Sequence, residues 1–265
     1  MRLTDIALPK RTAKLPLKRS MSGYETEMFV LDENGKLTSA DSLLNRAKKT
    51  IPVQKECSKY MLEVACLPAK RLSTTGRYLI DNLEELGELA QKNGNALYPF
   101  GTYFGFNRPL FRQKTWYTVQ RKILGERNFE NAGKCCGFHQ HYTLPRGIYD
   151  RKTKFINYRQ NSKINKSLID SYNFITAADP VFTTITQSSP FVDASYVAKD
   201  ARLILYRGGK TLKNPDALYA KQPLFGGLSP YKLTIRDLMS TLRRRHQKWK
   251  NLMIANKVDY TKFVN

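Results

Sequence analysis

Gly133-Lys-Cys-Cys-Gly-Phe-His-Gln-His-Tyr-Thr-Leu-Pro145 holds two of the chain's three histidines and is the segment from which the fold is best read. Taken as an extended strand from Gly137 to Leu144, it places His139, His141 and Thr143 on one face. Phe138, Gln140, Tyr142 and Leu144 take the other. One face is then polar and reactive, the other mostly packed. Gly133 and Gly137 let the backbone come close to a neighbouring strand or a ligand, where a Cβ would stand in the way. This is the pattern of a site built on a sheet.

A companion strand lies upstream. From Ser22 to Leu31, Tyr24, Thr26, Met28 and Val30 alternate with Gly23, Glu25, Glu27, Phe29 and Leu31, and Asp32-Glu-Asn-Gly35 supplies a turn. Glu25 and Glu27 therefore share a face, about 6.5–7 Å apart. Carboxylates so placed repel one another unless a cation or hydrogen-bond donors lie between them, and Mg²⁺, with its oxygen ligands and retained waters, suits the spacing. A solvated strand face is the plainer alternative. A third strand, Lys59 to Cys66, sets Met61, Glu63 and Ala65 against Tyr60, Leu62, Val64 and Cys66. Glu63 stands among apolar neighbours and calls for a metal or an arginine, because a carboxylate is rarely buried without a partner. Glu56 is a weaker fourth candidate.

Helices fill much of the rest. The pattern predicts one around Ala40 to Lys48, and a long one from Thr74 to Asn93, capped by Ser73, with Leu79, Leu83, Leu86 and Ala90 on its stripe and Gly94 after its end. After a short strand near Ala96 to Phe100, the aromatic run Gly101-Thr-Tyr-Phe-Gly-Phe106 reads as packing or as stacking platforms. Trp116 to Leu124 and the stripe Ile164, Leu168, Tyr172 and Ile175 read as helices, and Asp179-Pro180 reads as a fresh helix start. Asp200, Arg202 and Arg207 follow, the arginines suited to bidentate binding of phosphate or carboxylate. A last helix opens at Thr234 with a capping-box-like Asp237, runs through Leu238, Leu242, Trp249 and Leu252, and exposes Arg243, Arg244 and Arg245. Strands and helices alternate irregularly with hairpin-like turns, which predicts an α+β fold with a largely antiparallel sheet.

Composition narrows the class without choosing a function. At 265 residues and 41% hydrophobic, the chain can bury a real core. Forty-five basic residues against twenty-two acidic ones give a net charge of +23, spread along the chain, which favours nucleotides, nucleic acid or an anionic surface, or a merely solvated exterior. The four cysteines, with no secretory leader before them, argue against a disulfide framework. A zinc site combining Cys135 or Cys136 with His139 and His141 is a minor alternative, because its ligand spacing is irregular. No apolar run approaches the roughly 20 residues that span a bilayer. A cytoplasmic protein without a membrane partner is expected, with residues 1–20 as a flexible basic arm and 21–265 as one catalytic domain.

With these pieces in order, the chain resembles the carboxylate–amine ligase and glutamate–cysteine ligase family, whose catalytic domain is similar to that of glutamine synthetase. The matching residues are Gly23-Tyr-Glu-Thr-Glu27, the strand holding Glu63, the long helix after it, Gly137-Phe-His-Gln-His141, and Asp179-Pro through Ser188-Ser-Pro-Phe191 to Asp200-Ala-Arg202. The resemblance implies a sheet forming an open funnel with helices on its outer side, and ATP and divalent metal at one end. It implies a reaction in which an amino-acid carboxylate, glutamate as first choice, takes the γ-phosphoryl group of ATP. An amine, cysteine as first choice, then displaces phosphate to form an amide, as in glutathione biosynthesis. By the family pattern Glu25, Glu27, Glu63 and His139 hold Mg²⁺, His141 and Arg202 contact ATP, and Arg202 and Arg207 offset charge on the transferred group. Family members are longer, so the chain is expected to lack their C-terminal strands. A homo-oligomer is compatible with this reading. A non-catalytic basic protein that binds nucleic acid or nucleotide, with Tyr103, Phe104 and Phe106 as stacking platforms, is the competing one.

Overall fold

The computed structural model describes residues 20–143, 149–150, 155–156 and 162–263. All but Ser20 of the expected basic arm, and Leu144 at the end of the expected histidine strand, lie outside the described residues. In chain order the elements are β1 (Ser22–Leu31), α1 (Asp41–Ala47), β2 (Val53–Lys55), β3 (Met61–Ala65), α2 (Leu72–Lys92), β4 (Ala96–Tyr98), α3 (Thr115–Leu124), α4 (Glu126–Glu130) and β5 (Phe138–Tyr142). Two short hairpins, β6 (Tyr149–Asp150) with β7 (Phe155–Ile156) and β8 (Phe191–Val192) with β9 (Ser195–Tyr196), flank α5 (Ser162–Ile185). The chain continues through α6 (Ala201–Tyr206), α7 (Pro223–Gly226) and α8 (Ile235–Ala255). The α+β class with an antiparallel sheet is as the sequence predicts.

β1 is the axis of an open five-stranded antiparallel sheet. β3 pairs along one edge and carries β2 outside it. On the other edge β5 pairs with the first half of β1 and β4 with the second. The alternation of β1 decides what each face becomes. Met28 and Val30, with Leu62, Val64 and Cys66 of the neighbouring strand, are buried under Leu43, Leu44 and Ala47 of α1 and Leu79, Leu86 and Ala90 of α2. On the opposite face Phe29, Leu31 and Met61 pack with Tyr103 and Cys136, but only toward the C-terminal end of β1. Glu25, Glu27 and Glu63 occupy the rest of that face. A second core joins α3, α4 and α8 through Val119, Ile123, Phe129 and Met253.

Several local expectations give way to tertiary contacts. α5 runs unbroken through Pro180, because Asp179 spends its carboxylate on Arg207 instead of capping a new helix. Ser73 lies inside α2, whose N-cap is Arg71 with no side-chain cap bond. Phe138 and Tyr142 are exposed rather than packed, since β5 is an edge strand that α1 and α2 do not cover. Tyr103 is buried, its hydroxyl donating to the Gly35 carbonyl at 2.7 Å, so it offers no platform, whereas Phe104 and Phe106 are exposed. Arg245 is not part of a free cluster, because it donates to the carbonyls of Leu224 and Phe225. The capping box of α8 forms as predicted between Thr234 and Asp237. Among the described residues, no helix is long and apolar enough to cross a membrane.

Candidate active site

The register of three strands assembles the site. Antiparallel neighbours directly opposite one another point to the same face. β1 sets Glu25 opposite His139 and Gly23 opposite His141 on β5, and Glu27 opposite Glu63 on β3. Five of the side chains singled out in the sequence therefore meet on one face. Glu25 lies between the two histidines, with its Oε2 2.8 Å from Nε2 of His141 and 3.7 Å from Nδ1 of His139. Two overlapping sets could each surround one ion: Glu25, His139 and His141, and Glu27, Glu63 and His139, with the ligand atoms of each set within 4.8 Å of one another.

Gly137 holds the cluster together. Its N–H donates to Oε2 of Glu27 at 2.7 Å, while the N–H of Glu27 donates to the Gly137 carbonyl at 2.9 Å. A Cβ at residue 137 would fall 2.7 Å from Nε2 of His139 and 3.0 Å from Nη2 of Arg202. Glycine is what lets the imidazole and the guanidinium lie over the strand. Arg202, early in α6, is aimed there by two contacts: its Nε donates to the Cys136 carbonyl at 2.8 Å, and its guanidinium stacks 4.7 Å from the ring centre of Tyr206. Asp200 is used structurally, capping α6 through the N–H of Leu203.

The electrostatics are those of carboxylates buried beside one another. Burial first, then the charge of Glu56, pushes Glu27 from 4.5 up to about 8, against the opposing pull of the Gly137 N–H and Arg202. Burial and then Glu56 and Glu25 push Glu63 from 4.5 up to about 7. Glu56 is itself raised by burial. His139 is lowered, by burial and by Arg202, and so presents a neutral imidazole able to ligate a metal. Near neutral pH the pair Glu27 and Glu63 retains protons that a divalent cation would displace.

Not every candidate joins. Arg207 forms a two-pronged ion pair with Asp179, with bonds of 2.7 and 2.8 Å, which occupies both terminal nitrogens of its guanidinium. The third histidine, His246 on α8, has its Nε2 3.2 Å from the Tyr260 hydroxyl. Cys135 and Cys136 are fully buried in apolar clusters, and burial holds both thiols well above their ordinary range, so neither joins the histidines as a zinc ligand. What the sequence did not reveal is the coupling of Glu56 to Glu27 and Glu63, and the stacking of Arg202 on Tyr206. The first depends on the loop before β3, whose path has no local signal, and the second is an i, i+4 pair within α6, a spacing the sequence offers once that helix is recognised. A separate cleft of about 1130 Å³, lined by Lys36, Tyr60, Phe106, Arg108 and Lys134 among others, contains none of the clustered carboxylates or histidines.

No protein-family model matches the chain, and neither does any curated protein. Among solved structures it is similar to a bifunctional glutathione synthetase from Pasteurella multocida, with 17% identity and a TM-score of 0.46 over 65% of this chain and 24% of that one. It is also similar to a glutamate–cysteine ligase from Francisella tularensis in complex with AMP, with 16% identity and a TM-score of 0.45 over 65% of this chain and 36% of that one. The chain thus spans only about a quarter and about a third of the length of these two proteins. With both TM-scores below 0.5, these likenesses fix neither family nor activity.

Proposed function

We propose that the chain is the metal- and ATP-binding part of a carboxylate–amine ligase, with the sheet as one wall of an open funnel. One observation carries this reading: Glu27, Glu63 and His139 converge to within reach of one ion, and the guanidinium of Arg202 lies beside them. The donor set fits Mg²⁺, since two carboxylates supply hard oxygen ligands, and an ion bound there would offset the burial and neighbouring negative charge that raise both carboxyls. Bound there, the ion would neutralise and orient the phosphates of ATP.

The chain's own residues do the rest by position and charge. Glu27, Glu63 and His139, with Glu25 at the edge, would hold the metal. Arg202 is anchored at Nε and by stacking, which, among the described residues, leaves its terminal nitrogens free to meet a phosphate or carboxylate without first having to be ordered. His141, on the exposed side, would contact the nucleotide phosphates. Arg207 would act on the transferred group only after leaving Asp179. Glutamate and cysteine are the first substrates to try, and a cytoplasmic setting and a homo-oligomer are consistent with the proposal.

Calorimetric titration of ATP, with and without Mg²⁺, into the chain and into Glu27→Gln and Glu63→Gln tests the site without requiring the right substrates. Binding that needs Mg²⁺ and weakens on the order of tenfold or more in both variants is the expected result. Binding that ignores Mg²⁺ and both substitutions, and falls steeply with salt, would transfer the chain to the basic nucleic-acid-binding class.

A further inference from the structure

The site contains two kinds of donor set, and they call for different metals. Glu27 and Glu63 are oxygen ligands with one imidazole beside them. Glu25, His139 and His141 are the reverse: two imidazoles and one carboxylate, with ligand atoms within 4.8 Å of one another. Hard, oxygen-seeking Mg²⁺ has little use for two imidazoles, whereas zinc and its neighbours in the first transition row prefer them. Three protein ligands and an open fourth position is a common zinc arrangement.

The backbone builds this second set around His139, which it shares with the first. His139 and His141 are two residues apart on β5 and so project from the same face, their rings 6.3 Å apart and nearly perpendicular. The register centres Glu25 opposite His139, and opposite His141 it places Gly23, which has no side chain to fill the space. Glu25 reaches both rings with a single oxygen, at 2.8 and 3.7 Å. Tetrahedral zinc with bonds of 2.0–2.1 Å has ligand–ligand edges of about 3.3–3.4 Å, which lie between the two distances that Glu25 makes to the rings. Arg202, which lies with His139 over Gly137, is anchored to the Cys136 carbonyl.

We propose that Glu25, His139 and His141 form a zinc-class site distinct from the Glu27–Glu63 site, and that the two compete for His139, so that zinc suppresses binding of Mg²⁺ and ATP. The first half stands on the geometry alone. The second half rests on the ligase reading above.

The test is calorimetric titration of ZnCl₂ alone, in a non-chelating buffer without nucleotide, into the full chain and into Glu25→Gln, His141→Gln and Glu63→Gln. One equivalent should bind the unaltered chain, on the order of tenfold or more weakly in Glu25→Gln and His141→Gln, and nearly as well in Glu63→Gln. X-ray absorption of the zinc-loaded protein should show two imidazoles and no sulfur. Absence of zinc binding, equal loss in Glu63→Gln, or sulfur among the ligands would overturn the assignment. A second titration, of ATP with Mg²⁺ into zinc-loaded and zinc-free protein, should show weaker binding in the loaded form. Unchanged affinity would overturn the competition. Zinc bound as described in a chain that never binds Mg²⁺ and ATP would sink the ligase reading and leave the zinc site standing.

Discussion

Replacing Glu27 by glutamine should stabilise the metal-free protein in alkaline solution and remove much of its pH dependence. Glu27 ionises at about 8 in the folded protein, against 4.5 as its ordinary value. The folded state therefore binds a proton that the unfolded state has already lost, and stability falls as pH rises across this window. The full shift corresponds to about 5 kcal/mol against ionising Glu27 in place. The part lost between about pH 6 and about pH 8.5 is about 2–3 kcal/mol, with Glu63, raised to about 7, adding to it. Glutamine keeps the shape and can still accept the Gly137 N–H, yet carries no charge. Urea unfolding followed by tryptophan fluorescence would measure the difference, because the rings of Trp116 and Trp249 lie 5.6 Å apart and Trp249 packs against the helical core. The unaltered chain should lose several kcal/mol between the two pH values and Glu27→Gln markedly less. Equal losses in the two proteins would refute the reasoning, since Glu27 would then be charged throughout.

Gly137→Ala should keep the fold but weaken binding of Mg²⁺ and ATP on the order of tenfold or more, read by calorimetry, because its Cβ would displace both His139 and Arg202. Phe29→Ala, at a fully buried position beneath Tyr98 and Tyr103, should cost about 3–5 kcal/mol in urea unfolding and leave no folded protein if the total is smaller. Asp179→Asn breaks a partly exposed, two-pronged pair with Arg207 and should cost only about 1 kcal/mol, a difference that shrinks in high salt. A larger cost that salt leaves unchanged would mean that Asp179 holds α5 together by other means.

Alternation made the sheet legible. Ser22–Leu31 reads correctly to both ends because Tyr24, Met28 and Val30 alternate on the side that α1 and α2 cover, and the same count sends Glu25 and Glu27 to the other side. Helix α2 is legible for a similar reason, since Leu79, Leu86 and Ala90 recur at helical spacing and are the residues buried. What alternation cannot give is register. It assigns His139 to a face but not to a partner, and an offset of two residues would leave the faces unchanged while setting His139 opposite Glu27 or Gly23 in place of Glu25. Long-range pairs were equally illegible. Asp179-Pro180 carries a strong local signal for a helix start, and Arg207, twenty-eight residues later, cancels it. Glu56 could be named only as a weaker candidate and not placed against Glu27 and Glu63, because the loop before β3 has no periodicity to read.

The register is held partly by a residue of the site itself, and this makes one further distinction measurable. Glu27 fixes Gly137 twice, through its N–H to the glycine carbonyl and through its carboxylate to the glycine N–H. Ser22 adds a bond to the His141 carbonyl, and the N–H of Met21 one to Thr143. The carboxylate proposed to hold the metal is thus also a clamp that keeps β5 aligned with His139 opposite Glu25. Glutamine removes the charge and keeps the clamp, whereas alanine removes both. The two variants should bind Mg²⁺ and ATP equally poorly but differ in how well β5 is held. Amide hydrogen exchange at Phe138–Tyr142 should stay slow in Glu27→Gln and quicken in Glu27→Ala, by about the factor of 5–30 that a lost bond of 1–2 kcal/mol allows. If exchange is the same in both, the alignment rests on the backbone ladder alone, and Glu27 has no structural task beyond presenting its oxygen to the site.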